Sequence, residues 1–156
     1  MVIYENQTYE IYDVISIRRK MDYQDVKQEL INLDIFLSTH NIERGSIITV
    51  THGIERGSDK QVLDFEILCS IKPKTILPEF YEYKPIFRIT NALKIIHYGN
   101  PNSLQIDSQK LLDYAKEKNL TPITGLYCVT VNQIKSLDEI DKMEVDIYLG
   151  ITSNIL

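Results

Sequence analysis

The sequence predicts an α+β fold made of two strand-helix-strand-strand units, the second a repeat of the first. Helices would cover the apolar face of the strands and leave the opposite, polar face exposed to water or lining a cleft. Three observations predict this fold: strands with strict alternation, apolar stripes at helical spacing, and a proline-rich stretch between the halves. Alternation with a period of two marks a strand with one buried face, and apolar residues at i, i+4 and i+7 mark a helix. We therefore expect residues 1–156 to form a single duplicated domain.

The first unit covers about residues 8–71. Its elements are a strand at 9–19 with a break near Asp13, a helix that opens at Asp22, and strands at 47–54 and 62–71. Asp22 can cap this helix because its carboxylate accepts hydrogen bonds from free N–H groups of the first turn. The apolar stripe of the helix consists of Val26, Leu30, Leu33 and Leu37. Asn41 and Gly45 supply stop signals after it.

A connector at 72–85 separates the two units. It contains Pro73, Pro78 and Pro85, which together argue against a helix interior or a central strand. The second unit, at about 86–151, repeats the plan of the first. Its elements are a strand at 86–98, a turn at 99–102, a helix from Ser103 to about Asn119, a strand at 126–131, a connection at 133–142 and a strand at 143–151. Within the connection, Ser136 could cap a helical turn together with Glu139. We expect the Ser103 side chain to cap the second helix.

The last strand, M-E-V-D-I-Y-L-G-I, indicates most clearly that the chain is duplicated. Its apolar residues alternate with Glu144, Asp146, Tyr148 and Gly150, and the earlier strand L-D-F-E-I-L-C-S-I at 63–71 has the same alternation. Asp146 then occupies the position of Glu66, 80 residues earlier, and other elements correspond at offsets of 78 and 79. We interpret the two strands as equivalent parts of a repeat, with their acids meeting in a ligand cleft.

Composition excludes several classes of function. The net charge of −5 argues against generic attraction to nucleic acid, and no apolar run reaches the roughly 18 residues that a membrane helix needs. Cys69 and Cys128 fall in apolar strands and are expected to be free and buried. His40, His52 and His97 are scattered and more typical of structural residues, so we expect no metal and no cofactor. The chain is expected to be cytoplasmic.

Several short segments of the second half resemble a known family. They are A-L-K-I-I-H-Y-G-N-P at 92–101, the helix end K-E-K-N-L, and G-L-Y at 125–127, followed by the last strand. These segments resemble the gyrase-inhibitor-like effector-binding domain, the ligand-sensing half of some bacterial multidrug-responsive transcription regulators. The resemblance implies a stand-alone, divergent domain in which the two units are related by a pseudo-twofold. Together they would form one curved antiparallel sheet with helices on one face and a ligand cleft on the other. We expect it to lack the DNA-binding segment of the regulators, so it would not contact nucleic acid directly.

The resemblance also implies roles for individual residues. The acid that contacts the ligand falls on Asp146, and the pocket aromatics correspond best to Tyr98 and Tyr127. The sequence departs from the family at Gly150, where a proline is usual, and it contains no tryptophan. These departures put binding of the usual multidrug cations in question.

The residues themselves suggest a binding chemistry. Acids and a tyrosine share the face opposite the helices, which is either exposed to water or lines a cleft. In a cleft, a carboxylate supplies the countercharge for an organic cation and tyrosine rings supply cation–π contact. The candidate ligand-binding residues are Asp146, Glu66, Tyr98, Tyr127 and Tyr148. The sequence therefore favours a binding module for a small organic ligand, cationic or amphipathic.

Two alternatives remain open. The same sheet face could bind a protein partner, as the resembled fold also does, and edge strands permit a homodimer. Two carboxylates could instead perform acid–base chemistry as in a small-molecule hydrolase. Catalysis is the less favoured alternative because no nucleophile stands out, and we assign no catalytic residue.

Overall fold

The computed structural model describes residues 2–57, 59–132 and 136–153. In these ranges the chain consists mostly of antiparallel strands, with two α-helices. The strands are β1 (Ile3–Met21), β2 (Glu43–Arg44), β3 (Ile48–Arg56), β4 (Gln61–Lys72), β5 (Glu82–Tyr98), β6 (Leu120–Thr130) and β7 (Glu144–Ser153). The helices are α1 (Tyr23–Thr39) and α2 (Leu104–Glu117), and short 3₁₀ turns cover Pro101–Ser103 and Leu137–Lys142. No helix within the described ranges is both long and apolar enough to cross a membrane.

The chain divides into two compact units. One unit is continuous and spans Ile11–Phe87, and the other combines the described residues of Met1–Glu10 with those of Arg88–Leu156. We call them the α1 unit and the α2 unit after the helix that each contains. Strands β1 and β5 each contribute residues to both units.

The α1 unit is built on β4. Strands β1 and β3 pair with it on opposite edges, with Ile17 opposite Ile67 and Ile48 opposite Leu68. Helix α1 begins with a capping box, in which the Asp22 carboxylate accepts from the Asp25 N–H and the Asp25 carboxylate accepts from the Asp22 N–H. This confirms the predicted cap. The helix buries Leu33 and Leu37 in a core that also contains Ile15, Ile17, Met21, Phe65, Ile67, Cys69 and Ile71.

The α2 unit is built on β7. Strands β5 and β6 flank it, with Ile95 opposite Ile147 and Tyr127 opposite Tyr148. Helix α2 packs against the apolar face of this strand. The core contains Leu93, Ile95, Leu111, Ala115, Val145, Ile147, Leu149 and Ile151. The alternation in the sequence thus predicted this buried face correctly.

Local backbone geometry recurs between the units. Asp13 and Asn91 have φ of 53° and 48°, and Asn41 and Asn119 have φ of 53° and 56°. Each pair is separated by 78 residues, the offset found in the sequence. Asn and Asp enter the left-handed region more readily than other non-glycine residues because their short side chains bond to the local backbone. The break predicted near Asp13 corresponds to such a residue inside β1.

Three local predictions need correction. Strand β5 begins at Glu82, inside the predicted connector at 72–85, and it includes Pro85. Proline fits there because its fixed φ of about −65° lies in the β region and only one N–H donor is lost. The Ser103 side chain makes no capping bond to α2; instead the Asn100 side chain accepts from the Asn102 N–H in the preceding turn. Likewise, the turn after Ser136 forms without a side-chain cap.

Both cysteines are free, as predicted. Cys69 is fully buried in the α1 unit, and Cys128 is partly buried in the α2 unit. Burial raises the pKa of the Cys69 thiol to about 12 and that of Cys128 to about 11, because a thiolate is poorly solvated there. Neither thiol is therefore set up as a nucleophile.

Candidate functional site

Strand β7 places Asp146 and Tyr148 on the face opposite helix α2. Since successive side chains of a strand point to opposite faces, these two residues turn away from the apolar core formed by Ile147 and its neighbours. Both are nonetheless buried: Asp146 is 9% exposed and Tyr148 is 5% exposed. This polar face is therefore covered at its centre rather than left in water.

The Asp146 carboxylate has different surroundings at its two oxygens. Oδ2 lies 3.3 Å from the ammonium of Lys94 on β5, within the same unit. Oδ1 is buried and has no hydrogen-bond partner; among the residues the structure describes, it is the one such side-chain atom. A buried acceptor without a donor costs about 1–3 kcal/mol. One of the two oxygens of this carboxylate therefore lacks a hydrogen-bond donor within the described part of the protein.

Two tyrosine rings adjoin this carboxylate. The rings of Tyr9 on β1 and Tyr148 have centroids 5.3 Å apart, within the range of a favourable aromatic pair. The Lys94 ammonium lies 5.4 Å from the centroid of the Tyr148 ring, close enough for a cation–π contact. Burial is the main cause that raises the pKa of both phenols, so both are neutral at pH 7.

The charges of the cluster influence one another. Burial alone would lower the pKa of Lys94, but interactions with Tyr148 and Asp146 outweigh it and the net pKa is raised. Lys94 is therefore protonated and positively charged at pH 7. Glu144, two residues before Asp146 on the same face, has its pKa raised by partial burial and then by the neighbouring Asp146 carboxylate, while Lys94 opposes the shift. The cluster thus contains two acidic residues, Glu144 and Asp146, and one basic residue, Lys94.

The two remaining tyrosines predicted for the site lie on the same side of the sheet. Tyr127 on β6 is directly opposite Tyr148, and Tyr98 on β5 is directly opposite Glu144. Cross-strand partners point to the same face, so both rings belong to the Asp146 side. Tyr127 is half-buried, whereas Tyr98 is 64% exposed at the end of its strand. Tyr98 thus lies at the open margin of the cluster.

Glu66, the other predicted acid, lies on β4 in the α1 unit and has partners at both oxygens. Its Oε1 is 2.8 Å from Nε2 of His52, and its Oε2 is 3.2 Å from Nζ of Lys84. The side chain is nearly fully buried. Each acid therefore has a lysine partner within its own unit, and the predicted meeting of the two acids in one cleft stays a prediction.

Sequence reasoning missed the lysines and Tyr9. Lys94 and Lys84 stand in a strand, where a charged residue at an alternating position ordinarily indicates a face exposed to water. The pairing could be read only from the register, which places Lys94 opposite Tyr148 and beside Asp146. The sequence predicts a strand at Tyr9 and indicates no functional role for its ring.

The histidines form hydrogen bonds, as expected for structural residues. The buried His97 ring contacts the Asp107 carboxylate through Nδ1 at 2.7 Å and the Asn100 carbonyl oxygen through Nε2 at 2.9 Å. His40 contacts the Phe36 carbonyl oxygen at 2.9 Å. His97 therefore fastens the start of α2 to β5.

Gly150 also has a local reason. Its N–H donates to Thr124 Oγ1 at 2.9 Å, and a Cβ at this position would lie 2.8 Å from Thr124 Cγ2. A proline, usual for the resembled family, would have no N–H to donate and would collide with this threonine. Thr124 therefore explains why this chain has glycine, and not the usual proline of the resembled family, at position 150.

Comparison with known proteins extends the description of the fold. No protein-family model matches the chain. Among curated proteins, the chain is 29% identical over 124 residues to a chloroplastic homologue of the septum site-determining protein minD from Arabidopsis thaliana. That match includes 76% of this chain and 38% of the Arabidopsis protein, so the chain spans well under half the length of that relative.

Solved structures match over nearly the whole chain. The C-terminal domain of EcmrR aligns with a TM-score of 0.68 and 12% identity, covering 99% of this chain and 100% of that domain. EcmrR in its complex with DNA aligns with the same TM-score at 13% identity, and the match covers 97% of this chain and 58% of EcmrR. A hydrolase from Listeria innocua aligns with a TM-score of 0.51 and 11% identity, covering 95% and 93% of the two chains. At these identities the likeness concerns the fold, which is consistent with the effector-binding fold that the sequence resembles.

Proposed function

We propose that this chain is a ligand-binding module of the effector-binding type that captures a small organic cation at Asp146. The observation that carries the proposal is the buried Oδ1 atom of Asp146, which has no hydrogen-bond partner. A ligand N–H group would supply the missing donor. The contact would be strong because one partner is ionised and water is largely excluded.

Aromatic side chains support the cationic character of the ligand. Tyr148 is buried beside Asp146, and Tyr127 lies across from it on β6. A cation near such rings gains about 0.5–2 kcal/mol, more when water is excluded. Tyr98, exposed at the strand end, would contact the outer part of a larger ligand. A flat or amphipathic cation suits this combination best.

We further propose that the domain arose by duplication, which would make Glu66 and Asp146 equivalent positions. Register supports this. Ile17 pairs with Ile67 in one unit and Ile95 pairs with Ile147 in the other, at the offsets of 78 and 80 found in the sequence. The left-handed residues recur at 78 as well. On this view the α2 unit keeps the binding acid, and the α1 unit uses its acid to hold strands together.

The test is titration with a fluorescent lipophilic cation such as rhodamine 6G. Asp146→Asn keeps the shape of the side chain and removes its charge, so we expect at least about tenfold weaker binding. Glu66→Gln is the matched control and should bind as the unchanged chain does. Fluorescein, an anion of similar size, should bind neither form. Equal affinity of the unchanged chain and Asp146→Asn would remove Asp146 from the proposal.

A further inference from the structure

The Lys94 ammonium occupies the position that a ligand cation would need. It lies 3.3 Å from Asp146 Oδ2 and 5.4 Å from the centroid of the Tyr148 ring. A carboxylate and an aromatic face are the two groups by which proteins recognise organic ammonium ions. We propose that Lys94 is a tethered competitor: it fills the cation subsite of the free protein, and a ligand must displace its ammonium group to bind fully. This inference rests on the proposed function and adds its regulation and ligand class.

Lys94 is suited to leave the site. A lysine carries its charge on a flexible four-carbon stem, and this side chain is 20% exposed, so its ammonium can swing into water. The separation of 3.3 Å is longer than the 2.7–2.9 Å, approximately, of a strong charge-assisted hydrogen bond. The raised pKa keeps the group charged, so it competes with cations as a cation.

The pairing also keeps the empty site stable. A buried carboxylate with no counterion is strongly unfavourable, and Lys94 supplies that counterion when no ligand is bound. Exchange of one ammonium for another conserves the charge of the site, so only the difference between the two cations contributes to affinity. A ligand binds more favourably than the Lys94 ammonium if it also donates a hydrogen bond to Oδ1 and if an aromatic part of it packs against the tyrosine rings.

The geometry therefore selects a chemical class. The preferred ligand is an aromatic or other flat cation that carries at least one N–H on its charged nitrogen, since Oδ1 needs a donor. A quaternary ammonium ion of the same shape can replace the charge of Lys94 but cannot donate to Oδ1. We expect 4-phenylbenzylamine to bind more tightly than its N,N,N-trimethyl analogue, and equal binding of the two would contradict this ligand class.

The central experiment compares substitutions at Lys94 by titration with rhodamine 6G. Lys94→Gln removes the competing charge and keeps an N–H donor near Oδ2, so we expect binding about tenfold tighter. Lys94→Arg keeps a tethered cation, and its guanidinium can donate to both carboxylate oxygens, so it should compete at least as strongly as Lys94 and binding should be no tighter than that of the unchanged chain. Lys94→Gln combined with Asp146→Asn should lose the gain. Thermal melting of each variant verifies that it is folded, and Lys94→Met is a second neutral variant if Lys94→Gln is not.

The outcomes separate this inference from the proposed function. If the unchanged chain binds the dye and the neutral variants bind it no more tightly, Lys94 is not a competitor, although cation binding stands. If neither the unchanged chain nor the neutral variants bind either cation, both proposals fail. Binding of fluorescein that is lost in Lys94→Gln would overturn the inference in another way, because Lys94 would then be an anion-binding residue.

Discussion

Glu66 on β4 and Asp146 on β7, which the proposed duplication makes equivalent, have carboxylates with different surroundings. Both are buried acids with a lysine within 3.3 Å. Glu66 also contacts His52, so both of its oxygens have partners, whereas Asp146 retains one oxygen without any. A fully paired buried carboxylate is typical of structural polar networks, whereas a buried oxygen without a partner calls for a separate explanation, which the proposed ligand supplies. Burial alone does not distinguish the two roles; the number of satisfied oxygens does.

The largest expected effect is loss of stability when the fully paired acid is removed. Glu66→Ala would leave His52 and Lys84 without their shared anion, and we expect the free energy of unfolding to fall by about 3 kcal/mol. Asp146→Asn should change it by about 1 kcal/mol or less, because that site already has an unsatisfied oxygen. Urea denaturation measures both. A larger loss at Asp146 than at Glu66 would reverse the roles assigned to the two acids.

A smaller loss of stability is expected from substitution of two glycines, one in each unit, that lie very close to a neighbouring side chain. In the α2 unit a Cβ on Gly150 would lie 2.8 Å from Thr124 Cγ2, and in the α1 unit a Cβ on Gly45 would collide with Ser70 Oγ. Gly150→Ala should cost about 2 kcal/mol because the branched threonine has few rotamers to escape into. Gly45→Ala should cost less, since the serine hydroxyl can rotate away.

Rescue tests this explanation of the glycines. Thr124→Ser in the Gly150→Ala background removes the methyl group that collides and keeps the hydroxyl that accepts from the residue 150 N–H. We expect part of the lost stability to return in thermal or urea denaturation. The collision would be refuted as the cause if the double variant were no more stable than Gly150→Ala alone.

The smallest expected effect is a difference in pKa between Asp64 and Glu144, which the proposed duplication makes equivalent. The pKa of Asp64 is lowered, chiefly by its hydrogen bonds from Arg18, whereas the pKa of Glu144 is raised by partial burial and by Asp146. Carboxyl NMR titration should show the two shifts in opposite directions. In Asp146→Asn the pKa of Glu144 should move down, and in Glu66→Gln it should not move; the reverse pattern would exclude Asp146 as a cause.

The signs for stability follow from linkage. Because the pKa of Glu144 is higher in the folded chain, its contribution to stability is greatest in acid and declines as pH rises from the ordinary glutamate range, about 4.3, through the raised value. Asp64 behaves in the opposite way. Its contribution is present above the ordinary range of an aspartate, about 3.9, and is lost as pH falls through the lowered value.

The sequence was informative where one local rule decides the structure. Alternation identified the buried faces of β4 and β7, and the Asp22 cap followed from hydrogen-bond chemistry within a single turn. The prediction that Pro85 belongs to a connector was wrong, because Pro85 lies inside β5. The cost of a proline in a strand depends on whether the sheet needs the N–H that the proline lacks. Sequence reasoning also missed Lys94, because the ion pair with Asp146 depends on which strands are neighbours and in what register. Helices and strands were therefore more predictable from the sequence than the side chains that surround Asp146.

The division of β1 between the two units has a consequence for the order of folding. The α1 unit is continuous at Ile11–Phe87, so its contacts can form once that segment exists. The first residues of the chain belong to the α2 unit: Tyr9 meets Tyr148, and Glu10 meets Arg88. These contacts close a long loop, and such closure is slow because chain entropy is lost before contacts compensate for it. The first half of β1 therefore completes its packing late, and the Tyr9 side of the Asp146 cluster forms only after β7 has joined its unit.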